Sequence, residues 1–207
     1  MLIVYICHNQ ESVDVCNIKS PNSHILLVGP DNAVSKFPER LTIVRDLTYN
    51  IEDERKLLTF TAWYAIVKNN LFLEHDTLCI LEWDATLTSD IPDIHHDVVF
   101  FLTSSAYFFN EVSSDLLKTY LTDMGLHVNE PNETWGTTTN VILRRHVLEK
   151  FVDMYYPSSI QHLKKDLYNF SYYHERVFSM FVKTRGFSVV ILPIIHHVQY
   201  NSHQSFR

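Results

Sequence analysis

The chain has 207 residues, 46% of them apolar and 20% charged, with a formal net charge of −7. That length buries one substantial core and falls short of what two independent cores need, so a single domain over residues 1–207 is expected. Neutralising nucleic-acid phosphates takes clustered Lys and Arg, and 17 basic residues against 24 acidic ones argue against a nucleic-acid partner.

Residues 2–6 form a continuous apolar, β-branched run that ends at polar His8-Asn9. Residues 24–28 form another, ending at Gly29-Pro30-Asp31-Asn32, and both read as buried parallel strands with loops at their C-terminal ends. A short third strand is expected at 41–44. From 53 to 71 there is no Pro or Gly, and Leu58, Ala62, Ala65, Ile66 and Asn69 recur at helical spacing. Acidic Glu52, Asp53 and Glu54 cluster at the start of that stretch, where a helix dipole favours negative charge. Residues 77–81, 98–102 and 141–143 are further strand-like runs. Helices are expected at 112–124, 146–156 and 172–185, the last closed by Gly186 at a C-cap position, before a final strand at 189–195.

Strands alternating with helices imply an α/β fold, a mostly parallel central sheet flanked by helices on both faces. In open sheets of this class ligands sit beyond the carboxyl ends of the strands. The rim residues are then His8 and Asn9, 29–32, 82–84, 103–105, and His196 with His197.

Three cysteines, Cys7, Cys16 and Cys79, make an odd count, and Cys7 and Cys79 lie in apolar runs where Cys behaves as a small hydrophobe. A reduced setting follows. The apolar start, residues 1–7, is too short for a signal-peptide core and lacks a basic flank, and no other stretch approaches the roughly 20 apolar residues of a membrane span. A cytoplasmic protein without a membrane span is expected.

The run Leu78-Cys79-Ile80-Leu81 delivers Glu82-Trp83-Asp84 to the rim. In an extended backbone residues two apart point the same way, so the two carboxylates converge and Trp83 turns toward the core. Hard divalent ions take oxygen ligands, and one or two carboxylates leave positions for substrate phosphates. A solvated pair of acids at a strand end is the plainer alternative for the triplet alone.

On these residues the chain resembles the GT-A nucleotide-sugar glycosyltransferases, whose acid-x-acid element follows a strand in this way, with Glu82 here in place of the commoner Asp. Two further segments match in order. Gly136-Thr137-Thr138-Thr139-Asn140-Val141-Ile142-Leu143-Arg144-Arg145 is similar to the loop and strand facing donor sugar and acceptor. Tyr173-His174-Glu175-Arg176-Val177-Phe178, running on through Arg185-Gly186-Phe187 and Pro193 to His196-His197, is similar to a stretch of inverting members. In size and N-terminal placement the domain also resembles the glycosyltransferase domain of capsid-glycosylating proteins of large algal DNA viruses, which would act in a host cytoplasm.

The resemblance implies transfer of a hexose from a nucleotide-diphosphate sugar, expected to be a UDP-sugar, to a hydroxyl of a glycan or glycoprotein. It implies Mn²⁺ or Mg²⁺ on Asp84, with Glu82 assisting and His196 or His197 as a third ligand; His203 competes for that place. If the reaction inverts the anomeric centre, Glu175 is the implied catalytic base, against the alternative that an acid in a first helical turn merely complements the dipole; a retaining reaction would need no such base. His8, Asn9, Arg55, Glu82, Trp83, Asp84, Trp135 and Asn140 are the implied donor-binding residues. Two other readings stand beside it: a noncatalytic nucleotide- or sugar-binding module, and a haloacid-dehalogenase-type phosphatase suggested by the order Glu82-Trp83-Asp84-Ala85-Thr86. In the latter, Glu82 would carry the nucleophilic carboxylate a methylene too far.

Overall fold

The computed structural model describes residues 1–16, 19–52, 59–104, 114–126, 135–163 and 170–197. The N-terminal elements are β1 (Leu2–Cys7), α1 (Gln10–Cys16), β2 (Ser23–Leu27), β3 (Leu41–Ile43) and α2 (Thr59–Lys68). The middle of the chain holds β4 (Thr77–Glu82), β5 (Ala85–Leu87), β6 (Val98–Phe100), β7 (Thr103–Ser104), α3 (Ser114–Asp123) and β8 (Trp135–Gly136). The chain then continues through β9 (Val141–Arg144), α4 (Arg145–Leu163), α5 (Phe170–Thr184), β10 (Val189–Ile191) and β11 (Ile195–His197).

Seven strands form the central sheet in the order β10-β6-β9-β4-β1-β2-β3. All neighbours are parallel except β9, which runs antiparallel to both β4 and β6. The expected mostly parallel α/β sheet is therefore present, with helices on both faces. Alternation sorts the side chains: Val4 and Ile6 of β1 join one core, and Tyr5 and Cys7 join the other. The first core is covered by residues of α2, α3, α4 and α5. The second is covered by Val13 and Cys16 of α1 and by Ala85, Leu87 and Ile195 of a β5–β11 ribbon. All three cysteines are buried and free.

Several elements differ from the periodicity reading: α4 runs past the expected end at Tyr156 to Leu163, and β5, β7 and β8 were not anticipated. The final apolar stretch does not run as one strand. β10 ends at Ile191, Leu192 donates its N–H to the Phe100 carbonyl at 2.9 Å, and Pro193, which has no N–H to offer a ladder, separates β10 from β11 in the ribbon. The helix α1 was not anticipated, because its seven residues carry too short a pattern for a helical period. The expected helix at 53–71 is seen as α2, its first residues lying outside the described ones. Gly186 closes α5 with φ at 70°, and Phe187 N–H returns to the Val182 carbonyl at 3.1 Å, a C-cap that favours glycine. Among the described residues no helix is long and apolar enough to cross a membrane.

Gly136 shows how closely the sheet is packed. A Cβ built there would lie 2.1 Å from ring carbons of Phe100, a buried ring packed edge-on against Phe178 at a 6.0 Å centroid distance. Gly136→Ala is expected to cost about 1–3 kcal/mol by overpacking. The check is a lower urea midpoint with an unchanged m-value; an unchanged midpoint would show that Phe100 yields freely.

Candidate active site

Since β1, β2 and β4 are mutually parallel, their C-terminal ends form one rim, and β4 brings Glu82 to it. Trp83 and Asp84 make the turn, and the chain folds back at once as β5. The turn is held from several sides. The Glu82 N–H donates to Oδ1 of the fully buried Asn140 at 2.8 Å, and the Trp83 N–H donates to the Ile6 carbonyl at 3.1 Å. From below, Lys19 Nζ donates to the Trp83 carbonyl and, at 2.6 Å, to the Ala85 carbonyl. The Cys16 thiol approaches the same Trp83 carbonyl at 3.6 Å.

Electrostatics shows what meets at the turn. The Glu82 carboxyl is pushed up to about 7, first by burial and then by the negative charges of Asp84 and Glu175. Glu175, a residue of α5 distant in sequence, therefore stands within electrostatic reach of the triplet. His8 is held below its usual range by burial while Asp84 pulls the other way. Lys19 is likewise lowered by burial and opposed by Cys16 and Asp84. Glu175 thus acts on Glu82 through its charge, and His8 and Lys19 each feel the charge of Asp84.

Neighbouring residues on α5 take opposite roles. His174 is buried among aromatic rings, with centroids 5.0 Å from Trp63, 5.4 Å from Phe60 and 5.6 Å from Phe151, and burial lowers it to about 3. Successive helical residues diverge by about 100°, and Glu175, next to buried His174, is half-buried and acts on Glu82 through its charge. Because α5 begins at Phe170, Glu175 lies beyond the first turn, and the helix dipole no longer accounts for an acid there.

The other rim residues fall in varied places. Asn9 is engaged in the start of α1: its Oδ1 accepts the Ser12 N–H at 2.9 Å, and Ser12 Oγ accepts the N–H groups of His8 and Asn9, each at 3.0 Å. Gln10 clamps Val34 through both backbone groups, at 2.9 and 2.8 Å. Gly29 donates its N–H to Glu52 at 2.6 Å, and burial raises the Glu52 carboxyl. Trp83 is partly buried against the second core. In the ribbon His197 pairs with Ala85, one residue from Asp84, and exposed His196 pairs with Thr86. Trp135 pairs with Ser104 in the β7–β8 ladder. The side chains of His197 and Trp135, and Arg55, Ser105 and His203 entirely, lie outside the described residues. Among those described, no three His, Cys, Asp or Glu stand together as a ready metal cluster. Lys19 reads in sequence as an ordinary surface charge, and Glu52, expected only to complement a helix dipole, instead accepts the Gly29 N–H.

No protein-family model matches the sequence, and no curated protein matches it. Solved structures do match in shape. The bifunctional glycosyltransferase WbbM aligns with a TM-score of 0.63 at 12% identity, over 97% of this chain and 45% of that one. The Saccharomyces cerevisiae mannosyltransferase Ktr4p in complex with GDP aligns at 0.54 and 12% identity, over 96% of this chain and 71% of that one. The core-mannan synthase CmsA/Ktr4 of Aspergillus fumigatus, in its Mn/GDP form, aligns at 0.53 and 8% identity, over 96% of this chain and 75% of that one. The fold is thus the GT-A, Rossmann-like fold of glycosyltransferases. This chain spans less than half the length of WbbM, at 45%.

Glu82 binds its proton more tightly in the folded state than in the unfolded chain. In metal-free buffer the native state therefore loses stability as pH rises from the ordinary value of 4.5 toward about 7. Glu82→Gln removes that titration. Its melting temperature is expected to match the parent's below the window and to exceed it increasingly across the window. Parallel melting profiles from pH 4 to 8 would show that Glu82 is not held in this environment.

Proposed function

We propose that this domain is a divalent-metal-dependent glycosyltransferase that moves a hexose from a nucleotide-diphosphate sugar to a hydroxyl of a glycan or glycoprotein. The observation that carries the reading is the Glu82-Trp83-Asp84 turn at the carboxyl end of β4 in a GT-A sheet, with Glu175 of α5 within electrostatic reach of Glu82. The order of the three matching segments in the sequence supports it, as does the likeness in fold to enzymes described as glycosyl- and mannosyltransferases.

The donor set suits a hard ion, since Asp84 and Glu82 offer carboxylate oxygens and leave positions for phosphate oxygens. Asp84 is the principal ligand, Glu82 assists, and His196 or His197 is the candidate third. A bound Mn²⁺ or Mg²⁺ supplies Lewis-acid neutralisation of the departing diphosphate. One solved neighbour is described in an Mn/GDP form, which supports a metal with a nucleoside diphosphate; uridine as the base remains this reading's choice.

In an inverting reaction the acceptor oxygen forms the bond to the anomeric carbon as the bond to the diphosphate breaks, and the carboxylate of Glu175 takes the acceptor proton. His8, within electrostatic reach of Asp84, is the leading candidate for a donor contact, and Asn9, Trp83, Trp135, Asn140 and Arg55 are the further candidates that the sequence resemblance implies. Asn140 serves first by holding the Glu82 backbone.

Glu175→Gln is expected to reduce transfer by about 10²- to 10⁴-fold, the usual contribution of a general base, with donor binding kept. Asp84→Asn is expected to lose both Mn²⁺-stimulated release of nucleoside diphosphate and the metal-dependent thermal shift by sugar nucleotides. A ligand that binds only the native state raises the melting temperature by mass action. A panel of sugar nucleotides, with and without Mn²⁺, that shifts nothing would sink the proposal.

A further inference from the structure

Lys19 lies just past α1 in a polar stretch, yet its ammonium turns inward beneath the acidic turn. Its two carbonyl partners are Trp83 and Ala85, the residues on either side of Asp84. The stem passes the Tyr5 ring, with Nζ 5.1 Å from the centroid. Nothing local explains this course, because these bonds cross to backbone 64 and 66 residues away. An ammonium taken out of water needs compensation, and two carbonyl acceptors with a nearby carboxylate supply it.

The remaining anchors act on other atoms. Asn140 and Ile6 hold the N–H groups of Glu82 and Trp83, upstream of Asp84. The β5–β11 ladder holds the strand that follows. Lys19 acts between them, on the carbonyl just before Asp84 and on the one just after it. Its positive charge also stands within electrostatic reach of Asp84.

We infer that Lys19 is the positioning residue of this site: by bonding both carbonyls that flank Asp84 it sets the direction of that carboxylate toward a divalent ion. The inference rests on the metal-dependent reading of the same turn. The Lys19 head group touches backbone and does not itself meet the donor.

The test compares the intact chain with Lys19→Met and Lys19→Arg. Backbone amide exchange over residues 82–86 reports the hold on the turn without any metal. Mn²⁺ titration in the presence of UDP, followed by the paramagnetic resonance of free Mn²⁺, reports the direction of the carboxylate. Lys19→Met is expected to exchange faster over the turn and to bind Mn²⁺ about 10- to 100-fold more weakly, the usual penalty for losing a group that orients a metal ligand. Lys19→Arg, whose guanidinium can also donate to two carbonyls, is expected to restore both.

If Lys19→Met fails to fold, Lys19→Gln, which keeps a shorter donor, carries the comparison and is expected to fall between the parent and a complete loss. Unchanged exchange and Mn²⁺ affinity in the folded neutral variant would overturn the inference, as would an Arg variant no better than Met. Failure of the parent chain to bind Mn²⁺ would remove the metal-dependent reading and this inference with it. Loss confined to the Met variant confirms both.

Discussion

Carboxylates that leave a buried strand two residues apart repel each other, and a third approaching from α5 adds to the repulsion. The site exists because the fold supplies enough counter-forces to hold that arrangement. Burial pushes the Glu82 proton affinity up, the Asn140 amide and the Ile6 carbonyl fix the backbone N–H groups, and Lys19 fixes the carbonyls from beneath. A divalent ion would relieve what these contacts only contain.

The two faces of the sheet divide the labour. The helical face is an aromatic core in which Trp63, Phe151, Phe178 and His174 meet at centroid distances between 4.9 and 5.8 Å. That packing fixes the rotation of α5, and with it the departure of Glu175 toward the rim. The other face is thinner, with a short helix and a two-stranded ribbon, and there the chain runs from Asp84 into β5 and meets His196 and His197 on β11. Rigidity is concentrated behind the base candidate, and the ribbon lies beside the metal candidate. Sites on rigid elements hold their geometry more closely than sites on loops.

Likeness in shape at 8 to 12% identity shows one fold kept by very different sequences. In this chain the fold rests on apolar alternation that sorts β1 residues to two cores, a turn at the rim, and an antiparallel strand, β9, between β4 and β6. Particular side chains can change as long as those constraints hold. The Asn140 amide illustrates this: it lies at the entrance to β9, and its bond to the Glu82 N–H ties that antiparallel strand to the end of β4.

Much of the fold was legible in the sequence. Continuous β-branched runs marked β1, β2 and β4, helical spacing marked α2 and α5, and Gly186 marked the end of α5, because each of these signals is local. The placement of Glu82, Trp83 and Asp84 at a strand end was equally local. The tertiary structure decided the rest. Only packing shows that His174 turns into the aromatic core while its neighbour Glu175 couples to the rim, that Pro193 divides the last apolar run between two sheets, and that β9 runs against its neighbours. Lys19 is the extreme case: in sequence it is one polar residue among others, and its role comes from hydrogen bonds to carbonyls 64 and 66 positions away. Periodicity records what a residue does for its own element; it carries no trace of a bond made across the fold.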